Sequence, residues 1–411
     1  MKIKFVCMML ATALNLSACG NSSMGMDGAE NAAVIDMAQF DKADSVQNTG
    51  VESSGDYDVI PLKNSSTGTV KKSAFSGKVG GCYCAGGSRM IVAADKLYLY
   101  DMQKGENIAS ADISMEDLCV QTYADGYFIV GQGTGGSNGS FVSSQGGSGI
   151  TGYILDKDFT IRDTISFNGL LNDDFILQTT GAAISQDGKQ VAFGGLQGIY
   201  LYDTSSKKVR VLLNYSENGK ANNMQIGTMD SLAFAGDNTL VYVGMATDAS
   251  KGGDGFSVYG TVSTDSAKLT ITKKTGYQID TGEVQRGGNL LIMPQSFDKN
   301  NGTLLMLDTA SNTEKTISFS TRGEGKDGVF CSGQGKYVAT SVLGKSSVTI
   351  NIYDTASGKI VHTETVKDSN STYFLRIPQI LLLDESGTCV VVLGRGIGEV
   401  DTLITTFGFK G

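Results

Sequence analysis

Few side chains in this sequence could do covalent or acid–base chemistry, and their spacing decides what each could do. The 411-residue chain has one histidine, His362, and seven cysteines: Cys7, Cys19, Cys82, Cys84, Cys119, Cys331 and Cys389. A single histidine excludes multi-histidine metal sites and nearly all His-based triads. His362 stands in an alternating, strand-like run and reads as an exposed residue of an outer edge strand. Cys82 and Cys84 share one strand face, and Cys119 falls at the register of Cys82 in the next repeat. Cys82 and Cys119 could therefore pair as a disulfide; alternatively each fills a crowded strand as a small hydrophobe. The four-ligand spacing of a zinc site is missing, and no metal is expected.

Phosphate and acid–base motifs fare no better. Gly131-Gln-Gly-Thr-Gly-Gly136 and Gly323-Glu-Gly-Lys-Asp-Gly328 match the spacing of a dinucleotide fingerprint, but that chemistry needs a helix N-terminus directly behind the glycines. The first runs into more Gly and Ser, the second into a strand, so both are expected to be loops. Gly344-Lys-Ser346 ends like a phosphate loop, yet Ala339 stands where the first glycine is required. Paired carboxylates such as Asp173-Asp174 read as a solvated loop. No catalytic constellation and no cofactor are expected.

The amino terminus carries a different chemistry. Lys2 and Lys4 precede an apolar stretch from Phe5 to Leu14, followed by Leu16-Ser17-Ala18-Cys19-Gly20. This is the pattern of a secretory signal, and the apolar run is too short for a permanent span of about 20 residues. Leu-Ser-Ala-Cys resembles the bacterial lipobox, which implies cleavage before Cys19 and a diacylglycerol thioether on its sulfur; the alternative is a secreted chain whose Cys19 is incidental. Two acyl chains suffice for stable anchoring. Expected domains are a signal (1–18), the lipidated Cys19 with a flexible acidic linker (19–56), and a globular domain (57–411). As a flexible coil that linker would span roughly 30–35 Å, with a short transient helix within 29–43 as an option. The expected location is the outer face of the cell membrane, at the cell surface or in the periplasm.

Composition points the same way. The chain has 54 Gly, only 3 Pro and no Trp, and 40% of its residues are hydrophobic. That excludes a disordered chain and leaves room for one large all-β unit. The formal charge is −9, two units more negative once Lys2 and Lys4 are removed, so no nucleic-acid partner is expected.

From Tyr57 onward one phrase recurs: a small-residue strand, a polar turn, an apolar strand, a Gly-rich loop, an alternating strand ending in Asp, and a last strand. Ala182 to Phe193 leads into Gly198-Ile-Tyr-Leu-Tyr-Asp-Thr-Ser-Ser-Lys207; Val329 to Ala339 leads into Ile350-Asn-Ile-Tyr-Asp-Thr-Ala-Ser-Gly-Lys359. Leu97 to Gly105 and Leu304 to Thr313 repeat the strand-to-turn step. Alternation makes two-faced strands, and Asp followed by Thr, Ser or Gly closes hairpins. Copies about 40–50 residues apart, four strands each, predict propeller blades. The expected units are about 79–113, 118–167, 181–213, 230–274, 282–319, 328–367 and 379–411. The seventh lacks an outer strand, which residues 57–75 are expected to supply. An open β-sandwich or a β-helix is the alternative architecture.

The repeat resembles WD-repeat-like and surface-layer YVTN-type bacterial propellers, whose strands end in Tyr-Asp-Thr-x-x-Gly-Lys. Tyr353-Asp-Thr-Ala-Ser-Gly-Lys359 and Tyr202-Asp-Thr-Ser-Ser-Lys207 carry that pattern. The resemblance implies an all-β fold: a seven-bladed β-propeller of four-stranded antiparallel blades, preceded by the lipoprotein signal and a disordered tether. Without Trp, the Trp-Asp dipeptide and the Trp-docking motifs of quinoprotein propellers are missing, so no quinone site is implied.

Long connections recur at one step, between the second and third strands: Gly131–Gly149, Thr247–Gly255, Pro294–Gly302 and the shorter Gly394–Glu399. Unit-to-unit connections, including Asn214–Gln225, Arg322–Asp327 and Asp368–Tyr373, open onto the same face. The candidate ligand face is therefore Arg322, Lys326, Asp327, Tyr373, Arg376 and Arg395. Two functions fit. The first is a non-catalytic, membrane-anchored binding or scaffold module, monomeric, for an envelope protein, peptide or glycan. The second, implied by the resemblance, is a lactonase-like hydrolase or a lyase, with Arg322, Arg376 or Arg395 holding an anionic substrate at the channel mouth.

Overall fold

The computed structural model describes residues 33–35, 52–53, 75, 80–102, 104–133, 150–167, 181–195, 197–221, 224–248, 256–266, 269–274, 285–287, 290–294, 303–308, 311, 313–319, 329–343, 347–367, 379–382, 390–394 and 403–407. Its contacts divide the chain into units 1–30 and 31–411, and every described residue lies in the second. Strands dominate it because the alternating apolar runs of the repeat each bury one face per neighbour. Two short strands come first, β1 (Ala33–Ile35) and β2 (Glu52–Ser53). Sheet I follows with β3 (Gly81–Cys84), β4 (Arg89–Ala93), β5 (Leu97–Asp101) and β6 (Glu106–Ala111). Sheet II holds β7 (Met115–Tyr123), β8 (Gly126–Gly133), β9 (Ile150–Asp156) and β10 (Ile161–Ser166). Sheet III holds β11 (Ala182–Ile184), β12 (Gln190–Gly194), β13 (Gly198–Asp203) and β14 (Lys208–Asn214).

A helix, α1 (Tyr215–Ala221), leads into sheet IV: β15 (Met224–Phe234), β16 (Thr239–Asp248), β17 (Phe256–Ser263) and β18 (Leu269–Lys274). Sheet V has β19 (Gln285–Gly287), β20 (Leu290–Pro294), β21 (Thr303–Asp308) and β22 (Thr313–Ser318). Sheet VI has β23 (Val329–Cys331), β24 (Tyr337–Leu343), β25 (Ser347–Asp354) and β26 (Ile360–Lys367). Sheet VII has β27 (Gln379–Leu382), β28 (Val390–Gly394) and β29 (Leu403–Phe407).

Each sheet is an antiparallel meander. Sheets I to IV have four strands, sheet VII has three among the described residues, and sheets V and VI are widened to five by β1 and β2. First strands of successive sheets touch: β3 with β7, β7 with β11, β11 with β15, β19 with β23, β23 with β27, and β27 with β3. They line a common axis, and sheet VII meets sheet I. Exposure grows outward. The third strand of sheet I is buried throughout while its fourth is largely exposed. In sheets I, II, III, IV and VI the third-to-fourth pairing carries a register shift, the kind of irregularity that adds local twist to the outer hairpin.

The core is a set of layers between sheets. Ile91, Leu97 and Leu99 of sheet I meet Leu118, Ile129 and Leu155 of sheet II. Phe128, Val130 and Ile154 meet Ile184, Phe193 and Tyr200 across sheets II and III. Leu201 and Leu212 meet Phe234 and Tyr242 across sheets III and IV. Val243 and Tyr259 meet Leu305 and Leu307, and Met306 and Ile317 meet Val338 and Tyr353. Fully burying one such aromatic or aliphatic side chain contributes about 1.5–3 kcal/mol, so each interface is a stabilising layer in its own right.

Two expectations need correction, and a third falls almost wholly outside the described residues. The linker expected over 19–56 contains strands: Ala33–Ile35 pairs parallel with β22, and Glu52–Ser53 pairs antiparallel with β26. These short stretches pair with sheet edges, a partner invisible in local composition; within the optional helix of 29–43, residues 33–35 are strand and the others lie outside the described residues. Residues 57–74, expected to complete sheet VII, lie outside the described residues, but Phe75 is buried against Tyr98 and Tyr100. Those tyrosines lie on the face of sheet I turned away from sheet II. The Asn214–Gln225 connection, expected as a loop, contains α1, capped by Asn214 Oδ1 accepting from Glu217 N at 3.1 Å. Gly219 is needed there, because a Cβ would meet the Met224 carbonyl oxygen.

Candidate functional site

The repeated Asp-Thr step is a structural clamp. Asp203 Oδ1 accepts from Ser206 N at 2.6 Å, and Asp354 Oδ1 from Ser357 N and Ser357 Oγ, both at 2.7 Å. That backbone N–H of Ser206 holds the Asp203 carboxyl below its ordinary range. The next residue ties this turn to the first hairpin of the same sheet. Thr355 Oγ1 donates to the Gly335 and Lys336 carbonyls at 2.6 and 3.0 Å; Thr204 Oγ1 does the same to Gly188 and Lys189 at 3.0 and 3.1 Å. Ser332 Oγ and Ser185 Oγ complete the pattern, accepting from Tyr337 N and Gln190 N at 3.0 Å. Gly188 and Gly335 sit at φ 71° and 79° in these turns, where a side chain would be strained.

Adjacent sheets are stitched on the same rim. Ala124 N donates to Gln186 O, and Asp187 N to Asp237 Oδ1, each at 2.8 Å. Nearer the axis, Gln121 clamps the next inner strand, its Nε2 donating to Ala182 O at 2.8 Å and its Oε1 accepting from Ile184 N at 3.2 Å. Further out, Tyr202 donates to Asp163 Oδ2 at 3.3 Å, Lys207 pairs with the same carboxylate, and the buried Tyr259 donates to Glu314. Burial first and the Glu314 carboxylate second push the Tyr259 phenol well above its ordinary pKa.

His362 departs most from expectation. It is 1% exposed, and its Nε2 lies 2.9 Å from Oε2 of the fully buried Glu364. Both stand opposite Ile352 and Ile350 in the ladder, on the face turned away from sheet V. The alternation of β26 points His362 to a buried face of sheet VI, shared with Ile350, Ile352 and Glu364. Burial lowers the imidazole pKa to about 4, so the ring is neutral at pH 7, and it shares a hydrogen bond with the Glu364 carboxyl group. The only histidine of the chain is therefore a structural group.

The proposed disulfide is also not formed: Cys82, Cys84, Cys119 and Cys331 all carry thiols. Register explains it. Cys82 pairs with Val92 and so shares the face of Tyr98, away from sheet II, while Cys119 packs toward sheet III. The residue of β7 equivalent to Cys82 is Val120, and a one-residue offset turns a side chain to the opposite face. Burial raises the Cys119 thiol pKa, against a smaller opposing effect of the Gln121 hydrogen bond. Among the described residues no group of three or more His, Cys, Asp or Glu could hold a metal ion, and no helix is long and apolar enough to cross a membrane.

The opposite rim carries the connections between second and third strands. Gln132 pairs with Ile150, Ala246 with Phe256, Pro294 with Leu304 and Gly394 with Leu403, so the long inserts leave their sheets at one equivalent step. Helix α1 and the extended ends of β15 and β16, where Met224 pairs with Asp248, build this rim up at sheet IV. Arg322, Lys326, Asp327, Tyr373, Arg376 and Arg395 belong to connections leaving β22, β26 and β28; they, Cys19 and the inserts themselves lie outside the described residues. What sequence reasoning missed is the Gln121 clamp, whose signal is a long amide side chain on an innermost strand.

No protein-family model matches this chain, and no curated protein sequence is similar to it. Its likeness is to solved structures. The β-propeller domain of Cps50 (Swd1) from Myceliophteria thermophila superposes with a TM-score of 0.52 at 11% identity, covering 86% of this chain and 99% of that one. The hydrazine synthase of Kuenenia stuttgartiensis gives 0.48 at 12% identity, covering 81% and 97%, and the WD40 repeats of RRP9 give 0.46 at 9%, covering 83% and 97%. At such identities the first likeness establishes architecture alone: the chain folds as an all-β propeller of antiparallel, mainly four-stranded blades.

Proposed function

We propose that this protein is a lipid-anchored, seven-bladed propeller outside the cytoplasm that acts as a non-catalytic binding module, taking an envelope protein, peptide or glycan on its loop-bearing rim. One observation carries the reading: the long connections between second and third strands and the connections from sheet to sheet all open onto one rim of the ring. Long loops on a rigid scaffold are the usual material of recognition surfaces. The other rim is occupied by its own Asp-Thr clamps, and the sole histidine by Glu364, so both are spent on architecture. The anchor rests on Leu16-Ser17-Ala18-Cys19 behind the apolar signal, and the acidic charge disfavours nucleic acid.

Photo-crosslinking on intact cells tests the reading. A benzophenone amino acid at Arg376, on the loop rim, should trap a discrete partner that the same group at Ser205, on the clamp rim, does not. Identical adducts from both positions, or none from Arg376, would remove it. Mass spectrometry of the amino-terminal peptide checks the anchor separately, with a diacylglycerol-modified Cys19 expected and an unmodified terminus contradicting it.

A further inference from the structure

Sheet VI lies between sheet V, which it meets through β19 and β23, and sheet VII, whose first strand packs against β23 and β24. Its two faces differ in chemistry. Toward sheet V it presents Val338 and Tyr353. On the other face, register aligns Tyr337, Ala339 and Ser341 of β24 with Asp354, Ile352 and Ile350 of β25. The same rows continue to His362 and Glu364 of β26, opposite Ile352 and Ile350. Ser341, His362 and Glu364 are all buried, and the Ser341 hydroxyl has no hydrogen-bond partner among the described residues. Polar side chains are therefore enclosed on the face that sheet VII adjoins.

Few groups in the surrounding strands could answer a charge there. On β24 and β25 they are Tyr337, whose ring lies under the Lys336 ammonium, and Asp354, whose carboxylate is engaged by Ser357. On β26 the group is Glu364. β2 sets Ser53 beside Glu364, and Glu52 beside Thr365 in the register of the opposite face. The strands of sheet VII read Gln-Ile-Leu-Leu, Val-Val-Val-Leu-Gly and Leu-Ile-Thr-Thr-Phe and contain no titratable residue. A charged imidazole enclosed among such strands is costly. Parting sheets VI and VII would hydrate it while exposing far less surface than unfolding the whole ring.

We propose that His362 and Glu364 form an acid-released latch between sheets VI and VII: protonation of the imidazole favours a state in which sheet VII has moved off sheet VI and water reaches the ring. Burial holds the closed-state pKa at about 4, against an ordinary 6.5, so the closed state binds the proton more weakly than the open one. The closed state is fully favoured above about pH 6.5 and loses ground as pH falls toward 4. Between pH 7 and pH 5 the open-to-closed ratio rises about twentyfold. His362 is the only histidine of the chain, so the other seams have no such response.

Hydrogen exchange of the full chain, corrected for the intrinsic pH dependence of amide exchange, reads the latch at residues 379–382, with 182–184 of sheet III as reference. Opening at 379–382 should rise about twentyfold from pH 7 to pH 5, and at 182–184 by less than about threefold. His362→Gln keeps a side-chain donor but takes up no proton, and should abolish the rise at 379–382. A measurement on the native chain guards against a misfolded variant: carbon-13-labelled histidine gives one imidazole signal, which should titrate in the folded protein with a midpoint below about pH 5.5. An equal rise in both segments, a rise that survives His362→Gln, or a folded-state midpoint at or above about pH 5.5 would overturn the proposal.

Discussion

Replacing His362 by leucine separates a structural pair from a functional histidine. The ring is 1% exposed and its Nε2 sits 2.9 Å from a fully buried carboxylate oxygen. Removing one member of this buried hydrogen-bonded pair leaves a Glu364 oxygen short of that partner, at about 1–3 kcal/mol. Replacing both His362 and Glu364 by leucine should recover much of that loss, because no buried charge is left behind. The acid limb gives a second handle. Burial lowers the folded pKa from 6.5 to about 4, so the fold favours the neutral ring. That contribution is fully present above about pH 6.5 and is lost as pH falls toward 4; the gap, at about 1.4 kcal/mol per pH unit, corresponds to about 3.5 kcal/mol. Urea unfolding followed by far-UV circular dichroism and by the fluorescence of the 16 tyrosines, undisturbed by Trp, measures both effects. A His362→Leu midpoint within 1 kcal/mol of wild type, or an unchanged pH slope between 6.5 and 4, would refute the reasoning.

Other outcomes follow from the same geometry. Gln121→Ala should cost about 1–2 kcal/mol through the lost clamp on β11, and Gln121→Glu should cost more, because it sets a carboxylate against the Ala182 carbonyl; urea midpoints of the two variants decide the order. Thr355→Val should destabilise by about 1–2 kcal/mol, leaving the Gly335 and Lys336 carbonyls without that donor, and the less buried Thr204→Val by less; thermal melts compare them. Gly198→Ala would drive a Cβ into the Leu213 carbonyl oxygen and should cost at least about 2 kcal/mol. Gly87→Ala, at φ 59° with nothing within 4 Å, should cost only about 1 kcal/mol of backbone strain.

The architecture was legible because it rests on local signals. Alternation such as Ile199 and Leu201 against Tyr200 and Tyr202 marks the strands, and Asp-Thr marks the turns, so the expected units 181–213 and 328–367 fall within a residue or two of sheets III and VI. What failed depends on distant pairing. His362 looked exposed because a fourth strand is expected to face solvent, whereas the face that carries it is buried here. β1 and β2 were unreadable because so few residues carry no periodicity. The Cys82–Cys119 bridge failed on a single residue of register, which the spacing back from Asp101 and Asp156 contains: Tyr98 and Tyr153 are equivalent, and their ladder partners lead to Cys82 and Val120. The loop-rim residues are placed by connectivity alone, since length rather than pattern marks those segments.

The most direct measurement is a crystal structure of residues 57–411. Seven sheets around one axis, with Gln379–Leu382 packed beside Gly81–Cys84 and every long connection on one rim, is the arrangement expected. First and last sheets held apart, or long connections emerging from opposite rims, would contradict both the ring and the binding face built on it.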